Sequence, residues 1–268
     1  MRKKNTIWSK IIEKILFFIL LILLWQVVAY IGVEVLHVWK SYTMPTPIGV
    51  WNKIFTLFSD ISIYLAILAS LRRVFVGYIL AIVIGAVLGI LIVRFPYLER
   101  NLKPIILGLQ TLPSICWLPF AILWYGLNES AIIFVIVTGS AFSIAISVEN
   151  NFKSVAPILI RAAKTMGANK KELYTKVILP ASTPMLISGL KQGWSFAWRA
   201  LMSGEMMSAT VGLGQVLLLG RELADINQVM VVMIMIVIIG SVIDKCIFSN
   251  IEKRVRKSRG LDRDRVEA

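Results

Sequence analysis

The residues here that could carry chemistry are few, and the most conspicuous interrupt an apolar run. Lys191, Gln192, Arg199 and Glu205 fall in or at the edge of such a run over residues 185–207. Ionisable groups at membrane depth are costly and by default mark a pathway or a partner. Lys191 lies near one end, where a long side chain can snorkel to the surface. Arg199 lies near mid-span, where burial against a partner or the lining of a pathway replaces lipid exposure. Glu205 lies near the other end, as an interfacial cap or a pathway group. Arg199 and Glu205 are six residues apart, which is about 240° around a helix, so they cannot pair on one face. Gln192, Arg199 and Glu205 are the candidate pathway residues. Catalytic and metal chemistry have little support. Cys116 and Cys246 are far apart in no C-x-x-C pattern, and neither a redox nor a zinc reading follows. His37 is the sole histidine, so no His-based metal cluster can form, and no Ser/His pairing supports an enzyme. No stretch matches G-x-x-x-x-G-K-[ST], so the chain has no phosphate-cradling loop. No cofactor is expected.

The elements that hold these residues follow from composition. Hydrophobic residues make up 57% of the 268 and charged residues 16%, with a net charge of +14. Soluble domains have about 45–50% apolar and about 25% charged residues. Disorder is excluded because too much apolar surface would stay wet. Six runs approach the roughly 20 apolar residues needed to cross a bilayer. They lie at about 15–33, 74–93, 105–127, 131–148, 185–207 and 226–243, the third interrupted by Pro113 and Pro119. They are continuous and do not alternate, so helices are expected and not strands. The first has a basic start but no small-residue cleavage pattern after it, which makes it a retained anchor and not a signal peptide.

The basic residues alternate with these runs. They crowd the N-terminal tail (Arg2, Lys3, Lys4, Lys10, Lys14), the link with Arg94, Arg100 and Lys103, the link from Lys153 to Lys176, and the C-terminal end from Lys245 to Arg265. Cytoplasmic segments carry this excess, so both termini are expected in the cytoplasm. The positive charge is thus a topology signal; nucleic-acid binding is a poor use of it. Arg72 and Arg73 fit less well, at the outer entry to the second span, where an amphipathic elbow over 61–73 could hold them at the interface. Gly77, Gly85 and Gly89 form small-residue spacings that suit close helix packing, with a hinge as the lesser alternative.

The loop between the fourth and fifth spans is the most informative stretch. Ile158, Leu159, Ala162, Ala163 and Met166 share one helical face, with Arg161 and Lys164 away from it. Gly167 sits where a left-handed cap ends a helix. Asn169 and Glu172 form a capping-box pattern for a second short helix, and Pro180 and Pro184 close that helix and start the next span. An apolar stripe with its own caps points to docking and not to a solvated face.

Arg161-Ala162-Ala163-x-x-x-Gly167, followed after nine residues by Val177-x-Leu179-Pro180, resembles the EAA loop of binding-protein-dependent permeases, the membrane subunits of type I ATP-binding-cassette importers. The resemblance covers about residues 60–250 and includes Ala69 to Gly77, Leu112-Pro113 with Trp117-Leu118-Pro119, and Leu123 to Gly126. Ala197-Trp198-Arg199-Ala200, Glu205-Met206, Gly212-Leu213-Gly214 and Met44-Pro45-Thr46-Pro47 before Trp51 resemble the nitrate, sulfonate and taurine branch. Two positions depart from the motif: Arg161 replaces its Glu and Val177 its Ile. An ion pair made by that Glu therefore does not carry over.

The resemblance implies an all-α membrane protein of six transmembrane helices, with a cytoplasmic coupling-helix loop between spans four and five. Residues 1–60 would form the tail, first helix and outer loop, 61–248 the transmembrane domain, and 249–268 a basic cytoplasmic tail. It implies docking of Ala162, Ala163 and Gly167 onto an ATPase, with Leu179-Pro180 setting the return into the membrane. The implied partners are two copies of a cytoplasmic ATP-binding subunit, an extracytoplasmic solute-binding protein and a second permease chain, most simply in a homodimer. The implied solute is a small organic or inorganic anion, although related members take thiamine or riboflavin precursors. The rival reading is a self-contained secondary transporter or channel, which needs coupling-ion carboxylates in broken spans. The first four spans contain no Asp or Glu, which argues against it. Cysteine-accessibility labelling is expected to find a cysteine placed at Thr46 reachable from outside, and cysteines at Lys170 and Lys257 reachable only from inside. Outside labelling at 170 overturns this topology.

Overall fold

The computed structural model describes residues 7–40 and 42–258. The basic residues Arg2, Lys3, Lys4, Arg259, Arg263 and Arg265 lie outside the described residues. Among the described residues the elements are all helical: α1 (Ile7–Tyr30), α2 (Pro47–Phe58), α3 (Ile61–Arg94), α4 (Pro96–Thr111), α5 (Leu118–Tyr125), α6 (Glu129–Lys153), α7 (Pro157–Thr165), the single turn α8 (Lys170–Glu172), α9 (Leu179–Met206), α10 (Leu213–Glu222), α11 (Ile226–Ile243) and α12 (Asn250–Ser258). The chain divides into two compact units: residues 1–65 with 216–235, and residues 66–215 with 236–268.

In the first unit, α1 is exposed along most of its length, as a helix solvated by lipid is. The Trp25 indole donates to the Pro45 carbonyl at 3.0 Å. Thr46 caps α2 by accepting from the Gly49 N–H at 3.1 Å, with Pro47 at the first helical position. The segment Met44 to Pro47 is thus a helix start in which proline loses no needed donor. Lys53 pairs with Asp225 at 2.6 Å.

The second unit is built around α6, whose buried face runs from Ala131 to Asn151. Gly77, Gly85 and Gly89 of α3 lie against it. A Cβ on Gly85 would stand 2.7 Å from the Ala141 carbonyl oxygen, and one on Gly89 2.7 Å from that of Ala145. Close packing is therefore the reason for these glycines. On α9, Gly193 packs against Ile144 and Gly189 against Ser147. The same core holds Trp194, Trp198, Tyr78 and Phe248.

Among the described residues, four helices are long and apolar enough to cross a membrane: Ile11–Val35, Ile61–Arg94, Glu129–Lys153 and Ile226–Val255. A fifth span exists if the pair Pro96–Thr111 and Ser114–Tyr125, bent by 104°, counts as one. The expected third span is thus a sharp bend at Leu112-Pro113 and not a straight rod. Gly126, at φ +77°, ends α5, and Asn128 then caps α6 by accepting from the Ser130 N–H at 2.9 Å. The expected fifth span lies in α9, a helix of 28 residues. It is long enough to cross, but Lys191, Gln192, Arg199 and its serines make it too polar to qualify by hydropathy alone.

Two expectations are corrected. There is no elbow over 61–73, because α3 is one helix of 34 residues. At 1.5 Å per residue it is about 50 Å long, more than the bilayer core needs. Arg72 and Arg73 are tolerated there because carboxylates meet them. Pro180 does not close the second loop helix either. The chain stays helical through a π-helical turn over Leu173–Ile178 into α9. The wider turn relieves the clash that a proline ring makes with the carbonyl four residues back.

Gly89→Val is expected to lower the stability of the detergent-solubilised protein by about 1–3 kcal/mol, as overpacking does. A Cβ on Gly108 of α4 would meet nothing within 4 Å, so Gly108→Ala is expected to be neutral or stabilising. Thermal unfolding of both variants checks the contrast.

Candidate functional site

The loop after α6 begins at α7, with Pro157 at its first position. Gly167 follows it at φ +84°, a backbone conformation that costs other residues about 1–2 kcal/mol. The Gly167 N–H donates to the Lys164 carbonyl and the Ala168 N–H to the Ala163 carbonyl, each at 3.0 Å, closing the helix end. The capping box forms as expected: the Glu172 N–H donates to Asn169 Oδ1 at 2.9 Å, and the Asn169 N–H to Glu172 Oε2 at 3.1 Å. The Lys176 ammonium, 2.9 Å from Glu172, and then the Asn169 N–H hold the Glu172 carboxyl below its ordinary range. The box is therefore intact at neutral pH and weakens only as pH falls through that lowered value.

The apolar stripe divides. Ile158, Leu159, Ala162 and Met166 are exposed, Met166 at 86%, whereas Ala163 is buried against the chain itself. Space around Gly167 is open. Leu179 is exposed, and Pro180 half-buried beside it. The loop thus presents a short apolar face with a glycine corner and no cover among the described residues.

Lys191, Gln192, Arg199 and Glu205 of α9 go to different places. Lys191 pairs with Asp244 at 3.1 Å. Gln192 is exposed beside a cavity with Ser147, Asn150 and Ser188. Arg199 is exposed in a groove with Trp194, Ser195, Trp198, Ile236 and Gly240. Glu205 is wholly buried, at 0% exposure. Its carboxylate accepts from Ser70 Oγ at 2.7 Å, from Arg73 Nη1 at 2.8 Å and from the Gly214 N–H at 3.0 Å. Ser70 in turn accepts from the Leu213 N–H at 2.9 Å, and Arg73 Nη1 also donates to the Val211 carbonyl at 2.7 Å. Arg73 Nη2 reaches Glu129 at 3.0 Å, and Arg72 pairs with the same carboxylate. Glu205 is therefore neither an interfacial cap nor open to a pathway: it ties α3, α6, α9 and the segment from Val211 to Gly214 together.

Gly212 and Gly214 are small because this carboxylate lies on them. A Cβ on Gly212 would stand 2.5 Å from Glu205 Cδ, and one on Gly214 2.6 Å from Glu205 Cβ. No sequence pattern singles out Ser70, Arg73 and Glu129 as partners of Glu205. The one signal is the otherwise unexplained Arg72-Arg73 pair, which requires an acid somewhere at the same depth. A second ionic group lies at the other end of α6. There the buried Glu149 meets Lys103 at 2.8 Å and Lys153 at 2.9 Å, and Lys153 also pairs with Glu99.

Residues 81–257 match the family model of the binding-protein-dependent transport system inner membrane component. The chain belongs to that family, and is a multi-pass membrane protein. The taurine transport system permease protein TauC of Escherichia coli is 31% identical over 176 residues, which is 64% of this chain and 64% of TauC. The match therefore spans just under two thirds of that relative. The nitrate import permease protein NrtB of Synechocystis is 27% identical over 259 residues, covering 92% of this chain and 91% of NrtB. Among solved structures, the MetNI methionine ABC transporter in inward-facing conformations matches with a TM-score of 0.61 at 24% identity, over 72% of this chain and 96% of that one. The fold is shared with that transporter.

Breaking a buried ion pair costs about 3–5 kcal/mol, and an exposed one about 0–1 kcal/mol. Arg73→Met is therefore expected to destabilise the protein severely, because Arg73 is 3% exposed, whereas Arg72→Met, at a side chain 63% exposed, should be mild. Membrane abundance and melting in detergent compare the two; equal effects would contradict the burial argument.

Proposed function

We propose that this chain is the membrane-spanning permease subunit of an ATP-driven importer that receives a small anion from an extracytoplasmic binding protein. The carrying observation is the uncovered apolar face of Ile158, Leu159, Ala162 and Met166, ending at the positive-φ corner of Gly167. Such a face at a cytoplasmic loop suits a groove on a second protein. The sequence holds no phosphate loop, so ATP hydrolysis belongs to a separate ATPase subunit, and the permease is not itself an enzyme. Taurine, sulfonate or nitrate is the proposed solute class, by kinship with TauC and NrtB.

The finer assembly belongs to the same reading. In this reading the chain makes six spans, with α9 as the fifth and the bent α4–α5 pair as the third, and both termini lie in the cytoplasm, which the basic-residue alternation supports. Residues 61–248 make the transporting domain. One loop per chain against an ATPase pair with two grooves calls for two permease chains, most simply a homodimer with the pathway at the two-fold axis. Within the loop, Ala162 and Gly167 meet the ATPase, Ala163 supports them from beneath, and Leu179-Pro180 sets the return into α9.

Gly167→Val is expected to insert normally but to abolish uptake and binding-protein-stimulated ATP hydrolysis, since it strains the corner and blocks close docking. Arg161→Ala, away from the apolar face, should do much less. Reconstitution of both variants with the ATPase and binding protein tests this. Unimpaired transport by Gly167→Val would sink the coupling role of the loop.

A further inference from the structure

Ser188, Gln192, Ser195, Arg199 and Ser203 follow one another along α9 at spacings of four, three, four and four. On a helix they fall within an arc of about 80° and extend over about 22 Å. The first four are exposed and Ser203 is half-buried. The hydroxyls turn back onto their own helix: Ser188, Ser195 and Ser203 each donate to the carbonyl four residues earlier, at 3.3, 3.3 and 3.2 Å. Among the described residues none is taken up by a neighbouring helix.

Arg199 is the one charge on this stripe, and its orientation is informative. Its Nε donates to the Ser195 carbonyl at 3.2 Å, and its guanidinium lies over the Phe196 ring at 4.7 Å. The side chain therefore runs back toward the start of α9. In the proposed topology that direction is the membrane centre, the opposite of snorkelling to the outer surface. Among the described residues no carboxylate lies within ion-pair distance of Arg199. Asp244, in the same groove of about 520 Å³, is already neutralised by Lys191 at 3.1 Å. Among the described residues the groove thus holds one cation with no carboxylate partner, and both terminal amino groups of its fork make no hydrogen bond. Trp194 and Trp198 stand beside it.

An arginine in this position does not face lipid. From this placement we infer that the stripe is a wall of the water-filled solute pathway and that Arg199 is its anion-selecting ligand, taking a small oxyanion such as a sulfonate or nitrate through its free fork. A planar guanidinium presents paired donors to oxyanions, a geometry that an ammonium lacks. Gln192, Ser195 and Ser203 supply weak polar contacts above and below it, which lets the anion leave again. The inference rests on the proposed permease reading for its orientation in the membrane, and it removes Glu205 from the pathway residues.

The test uses the full-length chain in native membranes, with Cys116 and Cys246 replaced by serine and single cysteines placed at Gln192, Ser195 and Ser203. The probes are two methanethiosulfonates of similar size, an anionic sulfonatoethyl and a cationic trimethylammonium-ethyl reagent. All three positions should react, the anionic reagent faster, while a cysteine at the wholly buried Leu201 should stay unreactive. Adding Arg199→Gln should lower the anionic-to-cationic rate ratio at Ser195 by about tenfold, the size expected for a unit charge at roughly 6 Å in a partly hydrated site. Arg199→Lys should retain most of it. Unreactive stripe cysteines, or a ratio that Arg199→Gln leaves unchanged, would overturn the inference. The assay needs no ATP hydrolysis, so its outcome is separate from that of Gly167→Val, on which the coupling role depends.

Discussion

A carboxylate without access to water must be met by donors from its own chain, and the second unit is organised around that demand at Glu205. Ser70 and Arg73 from α3 and the Gly214 N–H converge on it, while Arg73 continues to Glu129 at the start of α6. Losing any one donor leaves a buried charge short of partners, and that is costlier than never having built the pair. The glycines of Gly212-Leu213-Gly214 follow from the same demand, because side chains there would occupy the carboxylate's place.

Between this network and the Glu149 cluster at its other end, α6 is held by shape. Gly77, Gly85 and Gly89 bring α3 close to it, and Gly189 and Gly193 do the same for α9. Apolar side chains gain little by leaving lipid for one another, so contact between backbones carries the association. Ion pairs thus fix the two ends of α6, and small residues set the spacing along it.

The loop after α6 obeys different rules because water reaches it. Its shape comes from a proline start, a glycine corner and a reciprocal capping box, all made within a few residues. Among the described residues nothing covers Ile158, Leu159 and Met166. The loop thus combines a shape fixed by local hydrogen bonds with an apolar face left exposed. The π-helical turn over Leu173–Ile178 then joins this loop to α9, the helix that carries Arg199, without a break.

What the sequence by itself determined was the short-range part. The apolar runs, the Gly167 corner, the Asn169–Glu172 box and the family resemblance are all written in neighbouring residues, because hydropathy and capping act over a few positions. Tertiary structure decided the rest. Glu205 and Arg73 are 132 residues apart, and no local pattern announces that they meet; read locally, one looks like a cap and the other like a misplaced charge. Ala163 shares the periodicity of Ala162 and yet faces its own chain. The bend at Leu112-Pro113 is signalled by proline, but its 104° is not, since proline breaks a helix without specifying which neighbours the next one will pack against.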